Sequence, residues 1–521
     1  MLVKIKGSAL VGMNAITITV EVNVSMGQGY TLVGLPDNAV RESLHRTESA
    51  IKSNGLFMPR TKLLVNLSPA EIKKSGAAFD LPITIGVLAA SEQLVHGIVL
   101  EDYIIMGELG LDGTLYPIKG ALAMAQQAKW EKYKGIILPL DNFQEANLVD
   151  GIQVYGFSTL GQLLAFVADP NTYQKPAAPK VAKATDGGQQ SLAPASPLFM
   201  EIKGQALLKR ALTIASAGNH HMILIGPPGA GKSMLAKSIV SILPPLTKDE
   251  AIETTKIHSY NKQFQLNQGL IYDRPFRAPH HSITSIALIG GGYNVHPGEI
   301  SLAHNGVLFL DELPEFNRSV IEVLRQPLED GYVHIARAQS SYQFPSKFLL
   351  IAAMNPCPCG YHTDPNKECT CSNEKIKAYF NKISGPLFDR IDLQMNVSPV
   401  SFLDLQSKIK EDFVLSDLME RIENTRKVQY NRYGLENGGK TNSQMSSADI
   451  KTYCQLDTIS EKLLEKAMNR FHFSARAYTR ILKVARTIAD LEQSTHIKSK
   501  HVYEAIQYRC NERVGEDKFQ P

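Results

Sequence analysis

Apolar and polar positions alternate over Ala15–Val24 (AITITVEVNV), and the run is β-branched, which predicts a half-buried strand. Thr61–Leu67 and Gly135–Leu138 predict further strands, while Asp37–Asn54 and Leu81–Ala90 have helical spacing. Further on, His221–Gly226 (HMILIG) reads as a short buried strand entering a glycine-rich turn, and Lys232–Leu243 as the apolar-periodic helix that follows it. Gly306–Leu310 and Phe348–Met354 are apolar throughout, as strands covered on both faces are. From about Ser401 helical periodicity takes over. Strands and helices interleaved in this way predict an α/β or α+β N-terminal block, followed by an α/β core and a helical C-terminal part. No internal repeat is visible.

Residues 170–197 interrupt the pattern. They hold five Pro, six Ala and almost no large apolar side chain, so they cannot bury a core and are expected to form a disordered linker. The expected organisation is 1–169, linker 170–197, an α/β core at 198–400 and a helical domain at 401–521. Composition adds exclusions. Of 521 residues, 44% are apolar and 20% charged, which is ordinary for a globular chain and excludes a largely disordered or collagen-like one. No run of about 18 uninterrupted apolar residues exists, so no membrane span is expected. The opening MLVKIKGSALVG lacks an apolar core with a small-residue cleavage site, and six Cys make no disulfide framework, so a cytoplasmic protein is expected. A net charge of +4 is low for a surface given over entirely to nucleic acid; any DNA or RNA contact must be local.

The candidate chemistry is concentrated after the strand at His221. Gly226-Pro227-Pro228-Gly229-Ala230-Gly231-Lys232-Ser233 fits G-x-x-x-x-G-K-[ST] between a predicted strand and helix. Such a loop turns backbone N–H groups toward phosphates at a helix N-terminus. Lys232 would reach the β- and γ-phosphates of ATP, and Ser233 would ligate Mg²⁺. Val307–Leu310 then runs into Asp311 and Glu312. Asp311 is placed to hold Mg²⁺ and Glu312 to polarise an attacking water, although acids at a strand end can also be merely solvated. Asn355 ends the next apolar strand, where it could orient that water or serve as a turn residue.

Arg274-Pro-Phe-Arg-Ala-Pro-His-His281, Gly290-Gly-Gly292, Pro297-Gly-Glu-Ile-Ser-Leu-Ala-His-Asn-Gly306 and Asp311-Glu-Leu-Pro-Glu-Phe316 closely resemble the magnesium-chelatase-like AAA+ group, and within it the YifB/ComM family. Val33-Gly-Leu-Pro-Asp-Asn-Ala-Val-Arg-Glu-Ser43 and Asn66-Leu-Ser-Pro-Ala-Glu-Ile-Lys-Lys74 extend the resemblance to the N-terminal block. The resemblance implies an AAA+ ATPase core followed by a helical lid. It makes Asn355 sensor 1 and Gln205 part of the loop near the adenine. It assigns Arg390, in Gly385-Pro-Leu-Phe-Asp-Arg390, to the neighbouring subunit's ATP, the alternative being a surface Arg paired with Asp389 or Asp392. Sensor 2 would be Arg476, with Arg480 the second candidate. An Arg acting in trans implies a ring, by family likeness a homo-hexamer. His280–His296 and Val333–Ser346 resemble the family's pore-facing insert and hairpin.

The block 1–169 resembles a Lon-protease-like (S5-like) domain. Ala78 stands at the nucleophile's position and Leu122 at that of the activating Lys, with Ser75 and Lys119 off register, so no peptidase activity is expected. Cys357, Cys359, Cys369 and Cys371 lie close together with Zn²⁺-ligand-like spacing, although C-x-C is less usual than C-x-x-C; the alternative is four free thiols. Cys454 and Cys510 are expected to be buried thiols. Lys466, Arg470, Arg476, Arg480, Lys483 and Arg486 occupy an acid-free stretch that would suit a phosphate backbone, unless they serve ATP or form a solvated face. The resemblance implies a ring motor on single-stranded or branched DNA, a branch-migration helicase in homologous recombination or natural transformation with recombination proteins as partners. The alternatives are a chelatase-motor-type ATPase remodelling a partner protein and an ATP-dependent protease, which the missing Ser and Lys oppose.

Overall fold

The computed structural model describes the chain except for residues 75, 96, 177–197, 260–269, 293–294, 338–339, 363, 365–366, 400–414, 435–438 and 510–521. Most of the expected linker, Ser75 and Cys510 therefore lie outside the described residues. The chain divides into two compact units, 1–188 with 255–271 and 189–254 with 272–521.

The first unit is built on β1 (Leu2–Val11), β2 (Asn14–Ser25), β3 (Tyr30–Val33), β4 (Lys62–Ser68), β5 (Tyr103–Ile105), a ribbon of β6 (Glu108–Leu109) and β7 (Leu115–Tyr116), β8 (Gly135–Pro139) and β9 (Gln153–Phe157). Seven of these form one mixed sheet in the order β3-β4-β2-β1-β5-β8-β9. The alternation in β2 turns Ile18, Val20 and Val22 inward, and β2 pairs antiparallel with both β1 and β4. Helix Asn38–Ser53 starts at Asp37, whose carboxylate accepts from the Val40 N–H. Helix Asp80–Ala90 is buried along its whole length, which is why its sequence is apolar on every face. Order extends into the start of the expected linker: Pro170–Thr172 makes a 3₁₀ turn, and the Tyr173 ring packs on Tyr155, Phe157 and Phe166 while its hydroxyl accepts from the Gly156 N–H. One large aromatic side chain in a Pro- and Ala-rich stretch is enough to hold it to the sheet.

The second unit contains β10 (Met222–Ile225), β11 (Phe276–Arg277), a ribbon of β12 (Gly290–Gly291) and β13 (His296–Pro297), β14 (Val307–Leu310), a hairpin of β15 (Tyr332–Arg337) and β16 (Ser340–Pro345), β17 (Leu349–Met354) and β18 (Leu393–Asn396). Five strands form an all-parallel sheet in the order β11-β14-β17-β10-β18. The interior strands β10, β14 and β17 are buried at every residue, so they read as apolar runs without alternation. The helix after β10 is shorter than its apolar spacing predicts. It ends at Ser238 and tightens into a 3₁₀ turn at Ile239–Ser241. Ser238 and Ser241 hydroxyls donate to the Leu235 and Ser238 carbonyls, and Leu243 precedes two prolines, which disfavours α conformation there. The C-terminal helices Leu415–Tyr433, Ser447–Tyr453, Thr458–Phe471, Ala475–Leu491 and Ser499–Gln507 share one apolar core with the sheet. Among the described residues no helix is long and apolar enough to cross a membrane.

Candidate nucleotide-binding site

β10 lies between β17 and β18, and the loop that follows it leaves the C-terminal edge of the sheet, where open α/β sheets bind ligands. Gly229 and Gly231 take left-handed conformations, with φ of 79° and 83°, that side chains other than glycine resist. Gly226 is needed for a different reason: a Cβ there would sit 2.3 Å from the Val397 carbonyl oxygen. Helix Lys232–Ser238 starts directly after Gly231, so its free N–H groups face the loop.

Lys232 Nζ donates to the Gly226 carbonyl at 2.7 Å, the Pro227 carbonyl at 3.0 Å and Asn355 Oδ1 at 3.0 Å. Burial lowers its pKa, with Asp311 and Glu312 opposing the shift. Ser233 Oγ donates to Asp311 Oδ2 at 2.6 Å, which joins the end of β14 to the start of the helix. A Mg²⁺ held by Ser233 and Asp311 would fit this pairing, since both offer oxygen atoms, the ligands that cation takes. β17 sits between β14 and β10, and that strand order sets Asn355 between the loop and the paired acids. Glu312 leaves the strand at φ 52°. Its Oε2 lies 3.4 Å from His281 Nδ1, in a ring whose centroid is 4.0 Å from that of His280 at a tilt of 35°. This contact was not foreseen from the motifs. The tandem histidines after β11 were its only signal. Gln205, at the start of helix Ala206–Gly218, donates to the Ser398 carbonyl at 3.0 Å.

The three candidate arginines differ. Arg390 is buried, not on the surface. Its guanidinium pairs with Glu329 and donates to the Pro386 carbonyl, while Nε has no partner among the described residues. Neither Asp389 nor Asp392 is its counter-ion. Asp392 instead takes Arg480 at 2.9 Å. Arg476 lies in the first turn of helix Ala475–Leu491, which Ser474 caps, and its exposed side chain makes no hydrogen bond or ion pair among the described residues. That leaves Arg476 available for a ligand and Arg480 committed.

The acid-free lid stretch does not form one basic face. Lys466, Arg470 and Arg476 are exposed, but Lys483 and Arg486 are buried. Lys483 Nζ donates to the Ser443 carbonyl, and burial pulls its pKa down to about 8. Arg486 pairs with Asp490 and donates to the Thr495 carbonyl. Lys483 and Arg486 lie on the buried face of helix Ala475–Leu491, so they bond internally. Cys454 is a buried free thiol, as expected. The sulfurs of Cys357, Cys359, Cys369 and Cys371 lie within 4.8 Å of one another. In the first unit, Ala78 sits in a 3₁₀ turn with its carbonyl accepting from Gly107, Leu122 is buried and Lys119 is exposed.

The parallel sheet, the loop at its edge and the helical C-terminal domain define a magnesium-chelatase-like AAA+ protein of the P-loop class. Family models agree along the chain: "Subunit ChlI of Mg-chelatase" matches 20–142, "Magnesium chelatase, subunit ChlI" matches 198–405 and "Magnesium chelatase, subunit ChlI C-terminal" matches 416–509. The chain is 42% identical over 514 residues to competence protein ComM of Haemophilus influenzae, covering 97% of both chains. It is 39% identical over 513 residues to the uncharacterized protein YifB of Escherichia coli, covering 97% of this chain and 96% of that one. A magnesium-chelatase subunit ChlI of Olisthodiscus luteus is 24% identical over 167 residues, 30% of this chain and 50% of its own. The chain belongs to the YifB/ComM family.

Proposed function

We propose that this protein is an ATP-hydrolysing ring motor that acts on DNA, a branch-migration helicase in homologous recombination or natural transformation. The observation that carries the reading is full-length similarity to a competence protein in a chain whose Lys232, Ser233, Asp311, Glu312 and Asn355 converge at one sheet edge. In this reading Gly226–Ser233 cradles the phosphates of ATP, and Ser233 and Asp311 hold Mg²⁺. Glu312 is the general base, Asn355 orients the water, Arg476 contacts the bound nucleotide and Gln205 lies near the adenine. Unit 1 is a binding or assembly domain and not a peptidase, because Ala78 and Leu122 offer neither a nucleophile nor a base. The four-thiol loop carries one structural Zn²⁺. The working form is a cytoplasmic homo-hexamer that cooperates with recombination proteins.

The measurement that tests this reading is the ATPase rate of the full chain with and without single-stranded or forked DNA. DNA is expected to raise turnover several-fold, with binding that weakens steeply as salt rises, because phosphate contacts release counterions. Absence of both stimulation and low-salt binding would sink the helicase reading. Stimulation by a partner protein alone would favour the remodelling ATPase that the chelatase family models suggest.

Arg390 tests the ring. In trans, its guanidinium would leave Glu329 and stabilise charge on a neighbour's γ-phosphate. Arg390→Ala is expected to lower kcat about a thousandfold, the low end for such a group. Mixing it with Lys232→Ala subunits should restore part of the activity, because some interfaces then pair an intact P-loop with an intact Arg. If mixtures stay as inactive as either parent, Arg390 does not act across an interface.

A further inference from the structure

The segment between Asn355 and helix Asn373–Phe380 leaves the nucleotide site and returns to it. Asn355, whose Oδ1 receives Lys232, lies two residues before Cys357. Gly360 follows in a left-handed conformation, φ 86°. It is pressed so closely on the P-loop that a Cβ would lie 2.7 Å from Pro228 Cδ and 3.9 Å from Asn355 Cγ. After Cys371, Ser372 caps helix Asn373–Phe380, with its hydroxyl accepting from the Lys375 N–H. That helix carries Tyr379, which is nearly buried. The cysteine loop thus starts at Asn355 and, at Gly360, packs back on Pro228 and Asn355.

Of the loop's four cysteines, Cys357 is buried, and Cys359, Cys369 and Cys371 are partly exposed. Together they form a donor set. The Sγ separations are 3.2 Å for Cys357–Cys359, 3.7 Å for Cys357–Cys369 and 3.6 Å for Cys359–Cys369. A tetrahedral Zn²⁺ with bonds of about 2.3 Å sets its sulfurs about 3.8 Å apart, so small adjustments would complete the site. Four soft sulfur donors and no carboxylate select Zn²⁺ over Mg²⁺ or Ca²⁺.

We propose that Zn²⁺ bound by Cys357, Cys359, Cys369 and Cys371 is a strut of the nucleotide site, holding Gly360 against Pro228 and Asn355 against Lys232, so that nucleotide binding and turnover depend on the metal. The inference rests on the ATPase and Zn²⁺ readings above and adds the coupling between them. Without the metal, closing the loop falls to the chain alone, and its conformational entropy is spent on Asn355 and Pro228. Cys369 and Cys371 are positioning residues: they reach the ATP site only through the loop.

The test uses the full chain, with metal content, ATP turnover, affinity for a fluorescent ATP analogue and far-ultraviolet circular dichroism measured together. Wild type should hold about one Zn²⁺ per chain. The Cys369→Ser/Cys371→Ser variant should hold none and lose about tenfold in nucleotide affinity or turnover with helix content unchanged. Gly360→Ala should keep its Zn²⁺ yet show the same functional loss. Release of Zn²⁺ from wild type by a mercurial, followed by thiol and Zn²⁺, should remove and restore nucleotide binding, which covers the case in which the double variant fails to fold. Wild type without Zn²⁺ overturns the proposal while leaving the ATPase reading intact, and so does metal-free protein that binds and turns over nucleotide normally. Wild type that holds Zn²⁺ but hydrolyses nothing fails the ATPase reading instead, and metal-dependent analogue affinity then still supports the strut.

Discussion

Glu312→Gln is expected to abolish steady-state ATP hydrolysis while leaving nucleotide affinity unchanged. Glu312 is not part of the Ser233–Asp311 pair that would suit Mg²⁺, nor of the Lys232–Asn355 pair that would face the phosphates. Its backbone turns out of line at φ 52°, and its carboxylate meets His281 while that of Asp311 takes Ser233. A carboxylate there can take a proton from water; an amide of the same shape cannot. Loss of a general base lowers turnover by about 10²–10⁴-fold. Gln keeps the length, the planarity and an oxygen for His281, so neither fold nor binding should change. The check is a paired measurement of ATPase rate and fluorescent-analogue affinity on one preparation. Normal turnover in the variant would remove Glu312 from its assigned role. Lys232→Ala supplies the contrast, since it should lose affinity along with turnover.

The phosphate site was legible in the sequence because its chemistry binds consecutive residues. A loop that turns N–H groups around phosphates needs Gly229 and Gly231 in left-handed conformations, and the acids need a strand to carry them to the same edge. The three interior strands of the five-stranded sheet were legible for a related reason: buried strands show as unbroken apolar runs, whereas the edge strands β11 and β18 were not foreseen. The rest depended on partners distant in sequence. Arg480 and Arg486 look like neighbours on a basic helix, yet one answers Asp392, 88 residues earlier, and the other Asp490, on its own helix. Charge counting along a helix cannot separate a solvated face from a face that bonds inward. The pairing of Arg390 with Glu329 spans 61 residues and was equally hidden. The approach of His281 to Glu312 follows from the adjacency of β11 and β14, and strand order is not written in either strand. In the expected linker, one tyrosine outweighed the surrounding composition.

The ion pair revealed in this way carries the largest expected change in stability. Asp392 is fully buried. It receives Arg480 Nη1 at 2.9 Å and the His221 N–H at 3.3 Å, and lies 3.2 Å from His220 Nδ1. His220 Nε2 in turn lies 2.7 Å from Thr487 Oγ1, so one carboxylate ties the start of β10 to two turns of helix Ala475–Leu491. Asp392→Ala would leave a guanidinium and a histidine without their anion in a dry site. Breaking one side of a buried pair costs about 3–5 kcal/mol, which for a unit of this size lowers the melting temperature by roughly 10 °C. Glu423→Ala removes only an exposed pair with Lys427 and should cost no more than about 0.5 kcal/mol. Acid separates the two further. Burial alone would push the Asp392 carboxyl up, but Arg480, His220 and His221 overcome it and hold it well below the usual carboxylate range. A carboxylate with a depressed folded pKa stabilises the fold above its unfolded value near 4, and that contribution is lost as pH falls through the folded value. His221, which burial pulls down to about 4, contributes earlier: its neutral form is favoured in the fold, so stability declines as pH falls from about 6.5 toward 4. Wild type should therefore lose melting temperature in two stages, and Asp392→Ala should lack the lower one. Melting curves from pH 7 to pH 3 provide the check; a variant that melts within about 2 °C of wild type at pH 7 would mean that the network does not hold the C-terminal helices to the sheet.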